Sequence, residues 1–89
     1  MNDLKKAEKI FKGVAHKNRL AVLLLLKNRP ELSVIEISEV LKIELKNTAQ
    51  HVAKLEASGL VMKRHDGNFV RLALTRRGKS ILEFYRILE

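Results

Sequence analysis

The sequence is 89 residues long, 46% hydrophobic and 31% charged, with a formal net charge of +8 and an isoelectric point near 10.1. That length and mix describe one folded domain, read as residues 1–89, and leave no room for a second domain or a disordered chain. The lack of cysteine excludes disulfides and thiolate metal sites. The basic excess points to a polyanionic partner, nucleic acid ahead of an anionic membrane surface.

Asp3 stands where it can cap a first helix, whose apolar Leu4, Ala7, Ile10, Phe11 and Val14 recur at helical spacing. Gly13 weakens the end of that helix. A second helix runs over Lys17–Asn28, with Leu20, Ala21, Leu23 and Leu24 inward, and Pro30 stops it. Its unbroken apolar stretch from Val22 to Leu26 predicts the central, most buried helix. The run from Ala21 to Leu26 is far too short to cross a bilayer, which takes about 20 residues. No apolar signal-peptide core follows Met-Asn-Asp-Leu-Lys-Lys, so the expected location is the cytoplasm.

Ser33 followed three residues later by Glu36 is a capping-box signature for a third helix, residues 34 to 41. A turn over residues 42 to 45 leads to a fourth helix, about 46–58, that ends before Gly59. On it Thr48, Val52 and Leu55 share one face. Two short helices joined by a tight turn outline a helix-turn-helix. Asp66-Gly67 then separates two alternating runs over about 60–74, the strongest short-range hairpin signal. Val70, Leu72 and Leu74 fall on one face of the second strand and Arg71 on the other. Thr75 caps a last helix, residues 76 to 88, carrying Ile81, Leu82, Phe84, Tyr85 and Leu88. The expected fold is mainly α with a small β-hairpin, a winged helix-turn-helix in the order of four helices, hairpin and fifth helix.

Charge is distributed unevenly: +6 over residues 1–30, −3 over 31–45 and +5 over 46–89. The acidic segment holds Glu31, Glu36, Glu39 and Glu44, whereas the fourth helix and the hairpin are basic. Opposite the Thr48/Val52/Leu55 stripe, helical geometry places Lys46, Gln50 and Ala53, flanked by Asn47, Ala49 and Lys54. Asn and Gln pair bidentately with adenine, Lys reaches guanine or phosphate, and alanine permits close approach. With Lys63, Arg64, His65 and Arg71 on the hairpin, this face makes double-stranded DNA the expected partner. The alternatives weighed against sequence-specific binding are non-specific architectural binding of nucleic acid and a winged helix used for protein interaction. The polar and basic face argues against the last.

Three segments resemble the ArsR-type winged-helix repressors. Val14-Ala15-His16-Lys17-Asn18-Arg19-Leu20-Ala21-Val22-Leu23 is similar to the family's A-H/D-P-x-R-L-x-I-L opening. Gln50-His51-Val52-Ala53-Lys54-Leu55-Glu56-Ala57-Ser58-Gly59-Leu60-Val61 resembles its S-x-H-L-x-x-L-x-x-A-G-L-V helix ending, and Arg64-His65-Asp66-Gly67-Asn68-Phe69-Val70 its R-x-x-G-R-W-V wing. The resemblance implies a transcriptional regulator that docks its fourth helix in the major groove and its wing on flanking backbone. Ser33 and Ile35 stand where metal-sensing members carry two cysteines, and the last helix lacks the His and Asp of the family's other metal site. The metal-sensing role is therefore not carried over. Leu74-Thr75-Arg76-Arg77-Gly78-Lys79 looks instead like the L-T-x-x-G ending of MarR-type winged helices.

No catalytic constellation, cofactor motif or metal-binding spacing is present, and an enzyme is not expected; His16, His51 and His65 are dispersed. Small regulators of this kind commonly pair on pseudo-palindromic sites. Leu4, Ile10 and Phe11 on the first helix, with Ile81, Phe84, Tyr85 and Leu88 on the last, exceed what so small a core covers. They predict a homodimer interface.

Overall fold

The computed structural model describes residues 3–89. Along the chain, α1 (Leu4–Val14), α2 (Lys17–Asn28), α3 (Val34–Leu41) and α4 (Leu45–Ala57) precede β1 (Val61–Asp66), β2 (Phe69–Leu74) and α5 (Arg76–Leu88). Local chemistry sets most of these boundaries. Asp3 accepts a hydrogen bond from the Lys6 N–H at α1, and Thr75 accepts from the Gly78 N–H at α5. Ser33 and Glu36 form the full capping box: Ser33 Oγ accepts from the Glu36 N–H at 3.2 Å, and Glu36 accepts from the Ser33 N–H at 2.9 Å. Lys42, in the left-handed region at φ 56°, ends α3, and α4 begins at Leu45, one residue earlier than expected.

α2 packs against α1, α3, α4, α5 and β2, the central place its composition predicts. Its inward stripe is Val22, Leu23 and Leu26; Leu20, Ala21 and Leu24 are only half-buried. The stripe expected from sequence is out of phase because a helix apolar on nearly all sides has no moment to fix its rotation. Around α2 the core is closed by Val14, Ile37, Val52, Leu55, Leu60, Val61, Leu72 and Leu82. Among the described residues it contains no aromatic ring.

The hairpin pairs antiparallel from Val61↔Leu74 to Asp66↔Phe69. Its two-residue loop is therefore Gly67-Asn68, one position beyond the expected Asp66-Gly67. Gly67 has φ +62° at the first loop position, where a type II′ turn demands a glycine. Only the base of the hairpin is covered: Leu72 is buried, whereas Phe69 and Val70 near the tip are exposed. Leu32 bridges to Leu72, whose N–H donates to the Leu32 carbonyl at 2.8 Å, and this ties the segment before α3 to the wing.

Candidate nucleic-acid interface

α4 is anchored from behind and bare in front. Thr48, Val52 and Leu55 are buried, and the Thr48 hydroxyl donates to the Glu44 carbonyl at 3.0 Å, which satisfies the one polar atom of that face. All six residues singled out on the opposite face, Lys46, Asn47, Ala49, Gln50, Ala53 and Lys54, are exposed. The structure brings them onto one surface. Such an arrangement presents amide and ammonium donors at the outer edge of a rigid helix, as insertion into a major groove requires.

The wing differs from the reading of its sequence. Lys63, Arg64 and His65 are exposed and Arg71 is half-buried, but three of these four are ion-paired within the chain. Lys63 lies 3.6 Å from Glu56. Arg64 donates to the Glu31 carboxylate, and this hydrogen bond together with the Glu31 charge raises the arginine's already high pKa. Arg71 sits 3.5 Å from Asp66 and 3.8 Å from Glu36, donates to the Glu31 carbonyl at 3.3 Å, and lies over the Phe69 ring. Arg64 and Arg71 face each other across the ladder, where like charges repel, and the acids flanking and opening α3 offset that repulsion. Glu36 is held below the usual carboxylate range by the Ser33 N–H and hydroxyl, with a smaller contribution from Arg71. The acidic segment and the basic hairpin, separate in sequence, thus dock on each other.

A second junction joins α1, α2 and α4. Arg19 donates from Nη1 to the Lys12 and Gly13 carbonyls, both at 3.2 Å, and so caps the end of α1. Its Nε donates to His51 Nδ1 at 3.3 Å, and the His51 ring lies 4.5 Å, centroid to centroid, from that of His16. Burial, then the neighbouring His16 and Arg19, push the His51 imidazole below its ordinary pKa. His16 Nδ1 in turn accepts from the Asn18 N–H at 3.0 Å to cap α2. Two of the three histidines that are dispersed along the sequence, His16 and His51, are in ring contact here. Gly13 has a packing role as well: a Cβ there would lie 1.9 Å from Ser58 Oγ, so only glycine lets α1 approach α4 this closely.

The helix-turn-helix domain family matches residues 14–64. HlyU from Vibrio cholerae N16961 is 32% identical over 99% of this chain and 97% of its own, with a TM-score of 0.83. The transcriptional regulator HlyU from Vibrio vulnificus CMCP6 is 32% identical over 94% of this chain and 88% of its own, with a TM-score of 0.77. The chain belongs to the ArsR-type winged helix-turn-helix transcriptional regulators. At 22% identity, the winged helix-turn-helix domain of Mb0332 from Mycobacterium bovis, described as homodimeric, shares the fold over 96% of this chain and 76% of its own, with a TM-score of 0.79. This family and fold are those of DNA-binding transcriptional regulators, not of enzymes.

Against the ArsR-type pattern, the two positions that carry cysteine in metal-sensing members do not suit a metal ion. Ser33 Oγ is committed to the capping box, and Ile35 is exposed and has no donor atom. Among the described residues, no group of three or more His, Cys, Asp or Glu is placed to hold a metal, and no helix is long and apolar enough to cross a membrane. The MarR-like Thr75-x-x-Gly78 has a geometric basis. Thr75 Oγ1 donates to the Gly59 carbonyl at 2.6 Å while capping α5, and a Cβ on Gly78 would lie 2.2 Å from the Leu60 carbonyl oxygen. Of the apolar residues expected at an interface, Leu4, Phe11, Phe84 and Leu88 are exposed and Ile10, Ile81 and Tyr85 are half-buried. Ile87, 68% exposed, extends that surface and was not singled out from the sequence.

Proposed function

We propose that this single-domain regulator, residues 1–89, binds duplex DNA through the exposed face of α4, with Gln50 and Asn47 reading base edges and Lys46 and Lys54 beside them. Ala53 lets the helix approach the groove floor. Lys63, Arg64, His65 and Arg71 lie along the flanking backbone. The observation that carries this reading is the exposed face of four polar and basic residues, Lys46, Asn47, Gln50 and Lys54, with Ala53 among them, set on a helix fixed from behind by Thr48, Val52 and Leu55. No part of the reading requires a catalytic residue, a cofactor or a metal, and the protein acts in the cytoplasm, where its DNA is.

The regulator works as a homodimer joined by α1 and α5. Leu4 is 73% exposed and Leu88 67%, and with Phe11 and Phe84 they form more bare apolar surface than a small monomer usually keeps. Pairing about a two-fold axis sets two α4 helices roughly 34 Å apart, one turn of DNA. Selection of random duplexes by the purified protein tests both points together. The expected result is an enriched inverted repeat. Recovery of unrelated sequences would mark a non-specific architectural binder, and a single unrepeated half-site would remove the dimer.

A further inference from the structure

The positive charge of this chain that is free to meet DNA is concentrated away from the wing. A groove of about 380 Å³ between α1 and α4 is lined by Lys5, Lys9, Lys12, Arg19 and Lys54, with Glu8 as the one acid among its described lining residues. Five cations less one anion leave a surplus of four, half of the +8 carried by the whole chain. Glu8 lies 3.4 Å from Lys12, a solvated i,i+4 pair of little strength. Lys5, Lys9 and Lys54 have no acidic partner among the described residues.

This groove is built, not a chance meeting of flexible side chains. Gly13 lets α1 lie directly on Ser58, whose hydroxyl donates to the Lys54 carbonyl at 3.0 Å and reaches the Lys9 carbonyl at 3.5 Å. Arg19 ties the end of α1 to His51 on α4. The lysines of α1 are therefore held at a fixed place relative to the helix that carries Gln50 and Lys54. Lys5, Lys9 and Lys12 follow i, i+4, i+7, whereas Leu4, Ala7, Phe11 and Val14 occupy the other side of the helix. A basic stripe and an apolar pairing face thus coexist on α1 without competing.

We propose that the α1–α4 groove is the principal seat for the DNA phosphate backbone, and that the wing contributes less than its composition suggests. The proposal rests on the reading of the chain as a duplex-DNA binder and names where the phosphates lie. Lys54 joins the two surfaces, because it lines the groove and also borders the reading face of α4. The backbone of a strand whose bases meet Gln50 continues past Lys54 into Lys9 and Lys5.

The test measures affinity of the full chain for a duplex of about three helical turns across a series of salt concentrations, comparing wild type with three paired variants. Removing one phosphate-bound cation lowers the slope of log K against log salt by about 0.9. Lys5→Gln with Lys9→Gln is expected to lower the slope by about 1.8 and to weaken binding by about tenfold or more near 0.1 M salt. The same positions changed to arginine keep the slope, which separates the effect of charge from that of folding. Lys27→Gln with Lys79→Gln removes equal charge from the side where α2 meets α5, and leaves the slope within about 0.5 of wild type. If the α1 pair and the α2/α5 pair behave alike, the groove is not the seat, although DNA binding stands. If wild type shows no salt-dependent binding to any duplex, the functional reading falls and the groove with it.

Discussion

The wing and the α1–α4 groove are both rich in lysine and arginine, yet they place that charge in opposite circumstances. On the wing, Lys63, Arg64 and Arg71 each sit within 4 Å of a carboxylate supplied by α4, the turn before α3, α3 itself or β1. In the groove, Lys5, Lys9 and Lys54 line one cavity and none is ion-paired with an acid among the described residues. The wing therefore uses its charge to hold itself against α3, and the groove keeps its charge for a partner. Segment net charge did not distinguish the two, because an ion pair removes a cation from the surface field without changing the count.

Breaking the groove mechanically gives the largest expected effect. Gly13→Ala forces a methyl into Ser58, and overpacking of this kind costs about 1–3 kcal/mol. Thermal or denaturant unfolding should show that loss, and DNA affinity should fall with it as α1 moves off α4. Adding Ser58→Gly should restore part of the stability, since the two positions share one space. Recovery of none of it would mean that the close approach is not what glycine is needed for.

Releasing the wing should narrow the difference between the two regions. Glu31→Gln leaves Arg64 without its carboxylate partner, and a freed guanidinium can then meet a phosphate. The salt slope should steepen by about 0.9 and affinity should rise by up to about tenfold near 0.1 M salt. An unchanged slope would place Arg64 away from the backbone in the complex.

Acidification should loosen the α1–α4 side with a smaller effect. His51 accepts a proton less readily when folded than its unfolded value of 6.5, so the unfolded chain binds more protons as pH falls through that region. Stability therefore rises with pH across the window just below 6.5 and is lost on going down through it. The melting temperature should fall between about pH 7 and about pH 5.5, above the range in which the carboxylates titrate. His51→Gln keeps an acceptor for Arg19 and should flatten the profile in that window. An equally steep profile in the variant would assign the effect elsewhere.

What the sequence disclosed and what it withheld follow from how local each signal is. Ser33 with Glu36, Thr75 before α5, Pro30 after α2 and Gly67 in the hairpin all act within a few residues, and each lies where the pattern put it or within one position. The exposed α4 face was legible for the same reason: Thr48, Val52 and Leu55 fix the buried side, and the rest follows from 3.6 residues per turn. The rotation of α2 was not legible, because Leu20 to Leu26 offers apolar side chains in every direction. The Glu31–Arg64 and Arg19–His51 contacts span more than thirty residues, and nothing in the spacing of single charges announces them. Gly13 reads as a weak helix end until Ser58 is seen beside it.

Gln50 tests most directly whether α4 reads sequence. Gln50→Ala should cost roughly 1–3 kcal/mol on the selected duplex, leave binding to random duplex nearly unchanged, and relax the base preference at one position of each half-site. Equal loss on selected and random duplex, or no loss on either, would contradict the assignment of the reading face to α4.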